Sequence, residues 1–90
     1  MLRLFHSIFG ATPERCRYSE ELIQAAIERA VAGLPPKHQV AFVLREYEGL
    51  SYDEMARVMQ CSPGTVMSRL HHARKKLQRA LVSMGVMEGP

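Results

Sequence analysis

Apolar residues recur at helical spacing through most of this chain, and the polar residues between them fall where helices start and stop. Ser19 caps a first helix whose opening turn carries Glu20 and Glu21, both suited to the positive end of the helix dipole. Leu22, Ile23, Ala26, Ile27, Ala30 and Val31 form its apolar stripe, and Gly33 stops the run. Pro35 forces a turn and Pro36 opens a second helix, where a missing N–H costs nothing. Its predicted stripe is Val40, Val43, Leu44 and Tyr47, with Gly49 at its end. Ser51 and Glu54 then have the spacing of a capping box, opening a short third helix with Met55, Ala56 and Met59 facing inward. After a break at Gln60 and Cys61, Ser62 and Pro63 write a helix start. The fourth helix is the longest, with Val66, Leu70, Ala73, Leu77, Ala80, Leu81 and Met84 in one stripe and Gly85 as its terminator.

The predicted fold is therefore all-α, a small four-helix domain over residues 19–85 that contains a helix-turn-helix without a wing. Ahead of it, residues 1–18 read as a linker or N-terminal extension. There Arg3 and His6 interrupt an apolar run too polar for a signal-peptide core, leaving a short amphipathic helix or the stub of a preceding element. Gly10 and Pro13 mark the linker, and residues 86–90 read as a flexible tail. No apolar run is long enough to cross a bilayer, so no membrane insertion is expected.

Charge sharpens this picture. Residues 1–54 hold six basic and eight acidic side chains, whereas residues 55–87 hold six basic and no acidic ones. A chain with a net charge of only +3 thus concentrates its positive charge on its last helical pair, as a protein that meets a polyanion with one face would. Cys16 and Cys61 stand singly, which suits a reduced cytoplasmic protein, and Cys61 with His71 and His72 lacks zinc-ligand spacing, so neither metal nor cofactor is expected. There are no paired carboxylates, no nucleophile beside a base and no phosphate-cradling glycine loop, and the reading is of a binding domain rather than an enzyme.

The short capped helix, tight turn and longer helix have the parts of a helix-turn-helix. At about 100° per residue, the sector of the fourth helix opposite Val66 holds Ser68, His71, His72, Lys75 and Arg79. Thr65, Arg69 and Lys76 border it on one side, Met67 and Arg74 on the other. Short polar and imidazole groups near the helix start suit base edges, and the long cations further along suit phosphates. The N–H groups at residues 63–65 suit a phosphate as well. A merely solvated face would carry acids at i±4 to these bases, and this one has none.

From Leu34, Pro35, Pro36 and Lys37, through Leu44, Arg45, Glu46, Tyr47, Glu48, Gly49, Leu50, Ser51 and Tyr52, to Gly64, Thr65, Val66, Ser68, Arg69, Leu70, Ala73 and Arg74, the chain resembles region 4 of bacterial sigma factors, especially the extracytoplasmic-function (ECF) type. The resemblance implies a promoter-recognition domain of an alternative sigma factor. Such a domain binds the double-stranded minus-35 element, docks on the β-subunit flap of RNA polymerase, and is held by an anti-sigma factor. It places Thr65, Ser68, Arg69, His71 and Arg74 at the DNA, and the helix face read above adds Gly64, Met67, His72, Lys75 and Arg79 to the expected DNA-binding residues. Met67 and His72 stand where the family often has Lys or Arg, and Gln39 where it often has Arg, and each lost phosphate contact flattens the salt dependence of binding by about one unit of slope. Those departures leave a rival reading, a region-4-like module that mainly holds an anti-sigma protein and binds DNA weakly. Gln60 occupies a turn position often given to Gly, which predicts a left-handed residue at a cost of about 1 kcal/mol. Residues 1–18 are too few for the family's region 2, so the sequence reads as a domain of a longer factor, with a natural short protein as the alternative.

Overall fold

The computed structural model describes residues 3–10 and 18–86. The linker expectation at residues 11–13, Cys16, and the tail expectation at residues 87–90 lie outside the described residues. Among them there are five helices and no strand: α1 Arg3–Phe9, α2 Glu20–Ala32, α3 Pro36–Glu46, α4 Tyr52–Met59 and α5 Pro63–Ser83.

Three helix starts were written locally by serine caps. The Ser19 hydroxyl accepts from the Leu22 N–H at 3.3 Å. At α4, Ser51 Oγ accepts from the Glu54 N–H at 3.2 Å while the Ser51 N–H donates to Glu54 Oε1 at 2.9 Å, a complete capping box. That N–H, and then the Ser51 hydroxyl, hold the Glu54 carboxyl below the usual carboxylate range. The Ser62 hydroxyl caps α5 by accepting from the Thr65 N–H at 3.2 Å. At the far end, Met84 is the cap and Gly85 follows at φ +78°, the left-handed conformation in which helices commonly stop.

The core has two parts that share α5. Ala41 of α3, Met55 and Ala56 of α4, and Val66 and Leu70 of α5 make the smaller one, beneath the helix-turn-helix. Phe42 of α3 joins Ile23, Ile27, Ala30 and Val31 of α2, Leu4 and Ile8 of α1, and Ala73, Leu77 and Leu81 of α5 in the larger one. Adjacent residues of α3 thus face different clusters. The reading helix is gripped along its whole length, its first half by α3 and α4 and its second by α1, α2 and α3.

Helix α1 is a packed element: Leu4 and Ile8 are buried, and the Gln78 side chain of α5 donates to the Ile8 carbonyl at 2.6 Å. The stripe expected for the second helix is corrected. Val40 and Tyr47 are exposed, Val43 and Leu44 are half-buried, and the fully buried residues are Ala41 and Phe42. The packed side of α3 also carries His38, Arg45 and Glu46, whose polarity hid it from a reading based on apolar spacing. Arg45 donates to the Leu50 carbonyl at 2.8 Å and lies 4.9 Å from the Tyr52 ring centroid. In the other stripes, Leu22 and Met84 are exposed and Ala26, Met59 and Ala80 are half-buried, while the remaining members are buried.

Gln60 sits at φ 54° and ψ 52°, left-handed as the family resemblance implies. A Cβ in that conformation is strained, and the N–H groups of Gln60 and Cys61 are already bonded back to the carbonyls of Arg57 and Ala56. Gln60→Gly is therefore expected to stabilise the domain by about 0.5–1 kcal/mol, read as a higher urea midpoint with an unchanged slope. An unchanged or lower midpoint would show that the Gln60 side chain has offsetting contacts.

Candidate nucleic-acid interface

Three residues, Gln60 to Ser62, join α4 to α5 and fix how the longer helix leaves the body. With Val66 and Leu70 buried beneath, the opposite side of α5 is forced outward. Gly64, Ser68, His71, Lys75 and Arg79 line up there as one exposed ridge, with spacings of four, three, four and four residues. Met67 stands half exposed on one shoulder and His72 is exposed on the other. A Cβ added at Gly64 would meet only Ser62 Oγ, at 3.9 Å, so nothing inside the chain demands a glycine at this helix start.

The other expected site residues are drawn toward the body. Thr65 is half-buried, with its N–H on the Ser62 hydroxyl and its Oγ1 3.0 Å from that same oxygen, so one of the N–H groups expected to meet a phosphate is already taken. Arg69 places Nη1 3.8 Å from Cys61 Sγ in the turn. Arg74 lies 3.6 Å from Glu46 on α3, with side-chain exposures of 30% and 11%, and Glu46 in turn accepts from Ser7 Oγ of α1 at 2.7 Å. The absence of acids at i±4 along α5 therefore did not mean the absence of an acid in space. Arg74 links the reading helix to α3 and α1, whereas Lys75 and Arg79 stand exposed.

Sequence reasoning passed over the start of α3. That helix begins beside α5, bringing the His38 ring to 5.9 Å from that of His72, which is itself 5.8 Å from that of His71. Burial, with the nearby charges of Lys76, His72 and Arg69, pushes the His38 pKa down. Just beside it, Pro36, Lys37, Val40, Met59, Gln60 and Arg69 line an open cleft of about 380 Å³. One signal was available: the first turn of α3 has no acid and carries Lys37, a charge of the wrong sign for the helix dipole. Among the described residues no group of three His, Cys, Asp or Glu is arranged to hold a metal, and no helix is long and apolar enough to cross a membrane.

A capped short helix, a three-residue turn and a long helix that turns a cationic ridge outward define a helix-turn-helix protein. Residues 24–77 match the family "Sigma-70, region 4", and the chain belongs to that family. It is 44% identical over 70 residues to the RNA polymerase sigma-H factor of Pseudomonas aeruginosa, a match covering 78% of this chain and 36% of the relative. It is 43% identical over 67 residues to the ECF RNA polymerase sigma-E factor of Escherichia coli K12, covering 74% and 35%, and equally similar to that of Salmonella typhi. The chain thus spans about a third of the length of these relatives. The resemblance read from residues 34–77 is the family found.

Proposed function

We propose that this chain is the promoter-recognition domain of an alternative sigma factor, and that α5 lies in the major groove of the minus-35 element. The observation that carries this reading is the ridge of α5, where Ser68 and His71 precede Lys75 and Arg79 on one exposed line. Groups near the start of a recognition helix meet base edges, and cations farther along it meet phosphates. Gly64 supports the same docking, since a position without a side chain at the helix start lets a sugar-phosphate backbone approach closely. Thr65, Met67, Arg69 and His72 flank the groove-facing line in this reading, and Arg74 holds α5 at its angle on α3.

Docking on RNA polymerase uses a different surface. Leu22 is 58% exposed on α2, a helix that takes no part in the ridge, and supplies apolar area for the β-subunit flap. An anti-sigma protein that covers either surface would silence the domain. The chemistry is that of binding, with no catalytic step.

The 90-residue chain is expected to bind fluorescein-labelled duplexes, enriched from a randomised pool, with micromolar affinity at low salt. Its log affinity should fall linearly with log salt concentration, by about 0.9 for each phosphate neutralised. Fluorescence anisotropy that detects no duplex at low salt, while an anti-sigma protein or polymerase flap binds tightly, would replace this reading with that of a protein-interaction module.

A further inference from the structure

Five cationic or ionisable side chains from two helices meet where α3 starts beside α5. Lys37 and Arg69 line the same cleft, and His38 and His72 face one another at a ring separation of 5.9 Å. The charged groups acting on His38 are Lys76, His72 and Arg69, all from α5, with none from α2 or α4 among them. His38 Nδ1 is buried without a hydrogen-bond partner among the described residues. His72 is exposed, and His71 stands beyond it at 5.8 Å on the ridge itself. Positive charge thus gathers around His38, and no acid is among the groups that shift it.

We propose that Lys37 and His38 of α3, together with Arg69, His72 and Lys76 of α5, seat one backbone phosphate of bound DNA, and that the imidazole pair takes up a proton as the phosphate arrives. The inference rests on the promoter-binding reading and deepens it. In the free chain burial, together with the nearby Lys76, His72 and Arg69, opposes charging of the His38 imidazole. A phosphate beside the pair reverses the sign of the local field and favours the imidazolium form. Because the bound state then holds more protons than the free state, affinity falls as pH rises through the range in which imidazoles titrate. The seat also lies off the groove-reading ridge, so the effect is on affinity and not on base preference.

The experiment is anisotropy of the full 90-residue chain with a labelled mixed-sequence duplex at low salt, at about pH 6 and about pH 8. Binding is expected to be about fivefold or more weaker at the higher pH, against a ceiling of about tenfold per pH unit for one proton. The double variant His38→Gln/His72→Gln is expected to bind with little pH dependence. His38→Gln/His72→Lys, with a permanent cation, should be equally flat but keep the affinity that the unaltered chain shows at low pH. His6→Gln on α1 should keep the full pH dependence. Circular dichroism of each variant confirms folding. Equal affinity of the unaltered chain at both pH values, or a dependence that survives in the double variants, overturns the proton-linked seat and leaves the promoter-binding reading standing. A chain that binds no duplex at either pH overturns both.

Discussion

Phe42→Ala is expected to destabilise the domain by about 3–5 kcal/mol, the range for emptying an aromatic side chain from a packed core. Phe42 is wholly inaccessible and joins α3 to the larger cluster, where α1, α2 and the second half of α5 meet. The neighbouring Ala41 belongs to the other cluster, beneath the helix-turn-helix. A cavity at residue 42 therefore loosens the helix on which both halves of the core depend. A domain of this size has about 5–10 kcal/mol in total, so the variant should lose half or more of its stability. Its melting temperature should fall by about 15 °C or more, followed by far-ultraviolet circular dichroism. Val40→Ala, on the exposed side of the same helix, should change stability by less than about 1 kcal/mol. Comparable losses from Val40→Ala and Phe42→Ala would mean that α3 packs by a different face.

The second large effect is on DNA. Lys75→Ala/Arg79→Ala should weaken duplex binding by about tenfold or more at low salt and reduce the slope against log salt by about two units. Both side chains are exposed on the α5 ridge, and neither is buried against the core, so circular dichroism and melting should be almost unchanged. The loss should be nearly the same for every sequence, because phosphates carry no base information. Ser68→Ala/His71→Ala should instead alter which duplexes are preferred, by about 1–3 kcal/mol for the favoured base pair. An unchanged salt slope in the Lys75→Ala/Arg79→Ala variant would remove these two cations from the interface.

Arg74 separates these two kinds of effect. By charge alone it belongs with Lys75 and Arg79, yet its guanidinium lies against Glu46, which is held by Ser7. Its loss would disturb how α5 sits on α3 as well as any contact with DNA. The surface cations of α5 are thus unequal, and their ranking follows from partners supplied by other helices.

The fold was largely legible along the chain because its punctuation is local. Ser19, Ser51 and Ser62 each bond an N–H three residues on, and Pro36, Pro63 and Gly85 act through their own backbone angles. The long stripe of α5 was legible for a related reason, since an amphipathic helix with one buried side has a single apolar sector to find. The ridge opposite Val66 followed from the same rules, whereas the left-handed residue at Gln60 was implied by the family resemblance.

Helix α3 obeys none of that simplicity. It is packed on several sides at once, so its buried residues Ala41 and Phe42 stand among His38, Arg45 and Glu46, and apolar spacing selects the wrong face. What the sequence by itself determined was where α2, α4 and α5 begin and end, where α3 begins and which side of α5 faces outward, because those depend on bonds and torsions within one or two turns. Only the tertiary structure decided that Glu46 neutralises Arg74, that Ser7 joins them from 39 residues before Glu46, and that His38 meets His72. Such pairings depend on how α3 crosses α5, and that crossing is set by the summed packing of both core clusters rather than by any short run of residues.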